Sequence, residues 1–184
     1  MLFRSQPPAP ANSGWALDPV DRFILAGLEN AGLRPAPDTG RHAWIRRVSL
    51  DLTGLPPTPE HIRGLVEDTS PEAYAKVVDR LLNSPAFGER WARHWLDLTG
   101  FADQIGTSND VFAQHAWRYR DYLIAAFNAD KPFDRFIREQ VAGDELYPGD
   151  PEAQIATGFL RAGPWEHTAM SVEAVTRQDR KSHV

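Results

Sequence analysis

The chain has 184 residues, 42% hydrophobic and 24% charged, which is enough length and apolar content for one domain with a buried core. No apolar run approaches the roughly 18 residues needed to cross a bilayer, and a formal net charge of -5 offers no basic stripe for nucleic acid. The absence of cysteine excludes disulfides, thiolate catalysis, cysteine zinc sites and haem attachment through C-x-x-C-H.

The N-terminal stretch MLFRSQPPAPANSG has no apolar signal-peptide segment and reads as a flexible Pro/Ala/Ser lead-in over residues 1–17. Beyond it the punctuation is helical. Asp18-Pro19, Thr58-Pro59, Ser70-Pro71 and Ser84-Pro85 each set a capping oxygen before a proline whose backbone angle suits the first helical position.

The first helix, about 18–31, carries Val20, Phe23, Ile24 and Leu28 at core spacing and stops at Gly32. The second, about 41–52, carries Trp44, Ile45, Val48 and Leu52, stops at Gly54, and is followed by the Pro56-Pro57 break. Short helices are expected at about 59–67 and 71–82, then a longer one from Pro85 to about Thr99. Residues 103–115 read as a loop. Helices resume near 116–128 and 132–142, DELYPGDP breaks the chain, and helices near 151–160 and 172–179 finish it. No segment shows strand alternation with hairpin turns. The expected fold is all-α: a single compact, Pro-capped domain of about eight helices over residues 18–180, with 181–184 as a divergent tail.

On the helix from Pro85, the positions of Phe87, Trp91, Trp95 and Leu98 predict a buried stripe. Its end, Leu96-Asp97-Leu98-Thr99-Gly100, repeats Leu50 to Gly54. An aspartate in a last turn faces the negative end of the helix dipole and needs a cation nearby. Arg93 stands four residues before Asp97, as Arg47 does before Asp51. Two structural ion pairs are therefore expected, each followed by a glycine stop, and five shared residues do not make a domain duplication.

His94, with Arg90, Arg93 and Asp97 around it, has the surroundings of a general base or a metal ligand. The favoured reading is a satisfied member of a buried polar network. No second His stands at i+3 or i+4, so no metal site is expected. Asp103, Asn109 and Asp110 lack EF-hand spacing. Glu139 and Asp144 are a carboxylate pair that acid–base chemistry or a solvated helix end explains equally well.

Four stretches, GRHAWIRRVSLDLTGLPPTPEHI, SPEAYAKVVDRLLNSPAFGERWARHWLDLTGFAD, AWRYRDYLIAAFNADKPFDRFIREQVAGDEL and IATGFLRAGPW, occur in that order. Together they resemble the planctomycete-specific cytochrome c (PSCyt) family, a domain of unknown function in large envelope proteins of planctomycetes and related bacteria. The resemblance implies an export signal and often a cytochrome c domain ahead of this region. It also implies a c-type haem motif shortly after a stretch similar to AVTRQDR, followed by a further domain. This chain departs from the pattern at Lys181, which reads as a fragment or truncated product carrying no cofactor of its own.

The function so implied is a structural or redox-partner scaffold in the periplasm or cell envelope, without catalysis in this chain. Its partners would be other domains of a larger protein. The alternative is a glycan-processing hydrolase that gathers His94, Asp97, Asp103, Arg118 and Asp144 around one pocket, or a carbohydrate or protein interaction domain using Trp15 or Trp165.

Overall fold

In the computed structural model, residues 6–9, 14–105 and 111–162 are described, and they contain eight α-helices. The chain divides into two units, Met1–Gly40 and Arg41–Val184. In the first, α1 (Pro19–Asn30) starts with a reciprocal cap. Asp18 accepts from the N–H groups of Val20 and Asp21, and the Asp21 carboxylate accepts from the Asp18 N–H. The expected stripe is off register: Leu25 is the buried residue, while Val20, Phe23 and Ile24 are exposed. Five apolar residues at 20, 23, 24, 25 and 28 wrap too far around the helix for spacing alone to choose a face.

The second unit holds two clusters of buried residues. In one, α2 (Arg41–Thr53), α3 (Pro59–Glu67) and α4 (Ala73–Leu82) enclose Ile45, Leu65, Ala73, Val77 and Leu81. The Arg41 guanidinium donates to the carbonyls of Leu65 and Asp68, so a cation closes the negative end of α3. Thr58 caps α3 as expected. Ser70 does not cap α4. Pro71 and Glu72 form a turn first, and the Ser70 hydroxyl accepts from the Lys76 ammonium instead.

The other cluster is built by α5 (Pro85–Thr99), α6 (Ala116–Asn128), α7 (Phe133–Leu146), α8 (Pro151–Ala156) and a 3-10 turn (Thr157–Arg161). Its centre is Ala92, Tyr119, Tyr122, Leu123, Ala126, Phe136 and Ala156. Helix α5 meets α6 through small residues. A Cβ on Gly88 would fall 2.5 Å from the Ile124 carbonyl, and the Gly88 N–H donates to the Asn128 side chain at 2.8 Å. The buried residues of α5 are thus Gly88 and Ala92. Of the expected stripe, Phe87, Trp91 and Trp95 are half-buried, and Leu98 is 79% exposed.

Helix α7 continues past the expected end at 142. Ala142 leaves helical geometry (φ -152°, ψ 37°), and the chain recovers for one more turn. That turn brings Gly143 against α8, where any Cβ would collide with the Ala153 carbonyl. Helix α8 opens with a further Asp-Pro start, Asp150 accepting from the N–H groups of Glu152 and Ala153. The expected loop 103–115 contains a two-residue antiparallel pair, β1 (Gln104–Ile105) with β2 (Val111–Phe112). The all-α reading holds. The expected helix at 172–179 and the tail at 181–184 lie outside the described residues.

Candidate functional site

Two adjacent polar residues of α7, Glu139 and Gln140, point into the core and are 0% and 1% exposed. Asp130 takes the left-handed conformation (φ 46°), which a short aspartate tolerates, and this turns the chain out of α6. Lys131 then folds back along α7, and its ammonium reaches Glu139 Oε2 at 2.5 Å. Tyr122 Oη donates to the same oxygen at 2.8 Å. Arg135, one turn before, donates from Nε to Oε1 at 2.6 Å.

Cation–ring contacts reinforce the arrangement. The Lys131 ammonium lies 4.7 Å from the Tyr122 ring centre, and the Arg135 guanidinium lies 5.3 Å from that of Tyr147. Burial is the largest single influence on the Glu139 carboxyl and pushes its pKa up. The donors Lys131, Arg135 and Tyr122 together outweigh burial and hold it below its ordinary value. Burial, and then the neighbouring carboxylate, pushes the Tyr122 hydroxyl up. Glu139 is therefore a committed anion whose acceptors face internal donors.

Gln140 organises the adjoining layer. Its Oε1 accepts from Trp95 Nε1 at 2.8 Å and Tyr119 Oη at 2.7 Å, and its Nε2 donates to the Phe136 carbonyl at 3.2 Å. Burial pushes the Tyr119 hydroxyl up to about 12. The sequence carries one signal for this hub. Between the buried Phe136 and Gly143, polar residues occupy core positions of the helix, and a polar group there must find partners. Pairing Glu139 with Asp144 missed it, because Lys131 and Tyr122 come from other segments.

On the far side of Tyr119 lies a cavity of about 500 Å³ lined by, among others, Phe101, His115, Arg118, Tyr119, Ile155 and Arg161. Gly158 lets the 3-10 turn approach Tyr119, since a Cβ there would stand 3.1 Å from Tyr119 Cβ. Its volume and largely apolar walls suit a small organic group, with cationic side chains to orient a polar end. The Tyr119 hydroxyl points its proton at Gln140 rather than at an occupant.

Arg118 is the one member of the expected five-residue cluster on these walls, and its guanidinium lies 5.6 Å from the Trp117 ring centre. His94 is exposed, its ring edge-on to Trp91 at 5.4 Å, so it is not the buried network member expected above. The close contact of α5 with α6 through Gly88 and Ala92 turns His94 outward. Asp97, Asp103 and Asp144 are exposed as well. Asp103 contributes only its carbonyl, which accepts from the Ala113 N–H at 2.8 Å.

Among the described residues neither the Arg47–Asp51 nor the Arg93–Asp97 ion pair forms. Water screens all four exposed side chains, so the dipole penalty needs no fixed cation. The glycine stops do form: Gly54 and Gly100 have φ of 71° and 66°. Trp15 is exposed; Asn109, Asp110 and Trp165 lie outside the described residues. No helix among the described residues is long and apolar enough to cross a membrane.

Residues 19–184 match the family model PSCyt2, described as a protein of unknown function (DUF1549). No curated protein and no solved structure matches the chain.

Proposed function

Since the chain belongs to the PSCyt2 family of proteins of unknown function, we propose that it is a non-catalytic helical module. In this reading it belongs to a larger cytochrome-c-type protein of the bacterial envelope and positions a neighbouring haem-bearing segment or partner. The observation that carries this is the fate of Glu139. It is the one buried charged residue among those described, and it is satisfied by Lys131, Arg135 and Tyr122 within the fold. Such a group rigidifies a scaffold and is a poor general acid or base, which needs a proton exchangeable with substrate.

The remaining polar residues singled out from sequence support the same reading. His94, Asp97, Asp103 and Asp144 are exposed, with no mutual hydrogen bond or ion pair that would make one of them a base and another its orienting partner. Contact with a partner would be sought first at the Arg118 cavity, whose apolar walls and cationic edge can receive an inserted side chain.

The test joins this chain to the haem-motif segment of a family member in a cell that matures cytochromes. The expected result is covalent haem with a Soret band, and a lower haem yield when Glu139→Gln loosens the module. A fusion without haem beside a matured control cytochrome overturns the proposal.

A further inference from the structure

The first Leu-Asp-Leu-Thr-Gly copy forms part of a recess. Leu50 and Asp51, with Trp44, Arg47 and Val48 earlier on α2, face Arg90 of α5 across a space of about 610 Å³. Gly54 makes room for the stem of Arg90: a Cβ there would stand 3.2 Å from Arg90 Cδ. Arg90 Nε is buried and has no hydrogen-bond partner. Neither Arg47, Asp51 nor Arg90 takes part in an ion pair among the described residues.

A guanidinium N–H that is dry and unpaired is costly, and native folds keep few such groups. Arg90 Nε itself is sealed from the recess, but Arg47 and Arg90 both line it and neither is held in an ion pair among the described residues, so the two guanidinium groups suit the paired oxygens of an oxyanion. Asp51 on the same wall disfavours a phosphate dianion by like-charge repulsion, and its carboxylate can accept from hydroxyl groups instead. Trp44 adds an aromatic wall, held in place edge-on to Tyr74 at 4.6 Å. A monocarboxylate on a hydroxylated ring with one apolar C–H face satisfies all three features.

We infer that this recess binds a hydroxylated monocarboxylate of the uronic-acid class, its carboxylate on Arg47 and Arg90 and its hydroxyls on Asp51. The site goes beyond the scaffold role, and neither depends on the other.

Titration calorimetry on the full chain tests it with D-galacturonate, D-galactose and inorganic phosphate as probes. Galacturonate is expected to bind, galactose at least about tenfold more weakly, and Arg47→Met and Arg90→Lys each to weaken galacturonate by about tenfold. Arg46→Met, which alters a guanidinium outside the recess, leaves binding unchanged. Circular dichroism confirms that each variant is folded, and Arg47, being exposed, can be replaced even if Arg90 variants unfold. No heat with galacturonate up to about 20 mM, or equal binding by the Arg47 variant, overturns the site. Phosphate binding tighter than galacturonate overturns the carboxylate assignment.

Discussion

Arg135 and Glu139 stand one turn apart on α7, joined at 2.6 Å, with the carboxylate 1% exposed and the guanidinium side chain 50% exposed. The contact thus carries a fully buried charge toward solvent through a side chain that is itself half in water. Lys131 and Tyr122 complete the shell from α6 and the turn after it, so one residue ties two helices together.

Replacing Glu139 with Gln keeps the shape and removes the charge, leaving Lys131 facing a neutral amide. Breaking one side of a buried pair costs about 3 kcal/mol at the lower end of its range, which fits here because Arg135 can rehydrate. Urea unfolding followed by circular dichroism should show that loss with an unchanged slope. A cost below about 0.5 kcal/mol would mean that the hub contributes no more than a surface pair.

The pH dependence follows from the same shell. The folded-state pKa of Glu139 lies below its unfolded value. The folded state therefore holds fewer protons, and the stabilisation is complete above the unfolded carboxylate pKa of about 4.3 and drains away as pH falls through the folded value. Asp68, held low by the Lys76 ammonium and by Ser70, acts on the same side. Midpoints measured from about pH 7 down to about pH 3 should fall for the wild type, and fall less for Glu139→Gln. Parallel curves would assign the acid limb to other carboxylates.

Gln140 makes the neighbouring claim separable. Changing it to Leu keeps volume near constant but leaves Trp95 Nε1 and Tyr119 Oη without their acceptor. Each buried orphan donor costs about 1–3 kcal/mol, so a total near 2 kcal/mol or more is expected. The Trp95 indole N–H resonance, identified by comparison with Trp95→Phe, should move upfield in the NMR spectrum.

Local chemistry was readable from sequence and long-range partnership was not. Asp18, Thr58 and Ser84 cap their helices because an oxygen two or three residues ahead of a free N–H is a purely local arrangement. Gly54 and Gly100 end helices for an equally local reason, the left-handed turn. Ser70 looked the same but lost its place to a turn, showing that an Ser-Pro pair fixes a start only to within a few residues. The partners of the hub were not legible, because Lys131, Tyr122 and Glu139 meet only after α6 and α7 pack. His94 drew attention through its neighbours in sequence, yet its direction is set by Gly88 and Ala92, whose small size pulls α6 onto the opposite side of α5.

That role of small residues yields the last prediction, in which one substitution changes sign with position. Gly88→Ala puts a methyl 2.5 Å from the Ile124 carbonyl, and Gly143→Ala puts one into the Ala153 carbonyl. Both obstacles are backbone, so two helices must separate, at a cost of about 1–3 kcal/mol or more. Gly100→Ala meets nothing within 4 Å but must hold φ near 66°, which costs about 1–2 kcal/mol. Gly64→Ala, inside α3 with open space around it and no positive φ, should stabilise by about 0.5–1 kcal/mol. Denaturation midpoints for the four variants should rank Gly64→Ala above wild type, Gly100→Ala below it, and the two interface variants lowest. If Gly88→Ala matched wild type, α5 and α6 would not be in close backbone contact, and the outward direction of His94 would lose its cause.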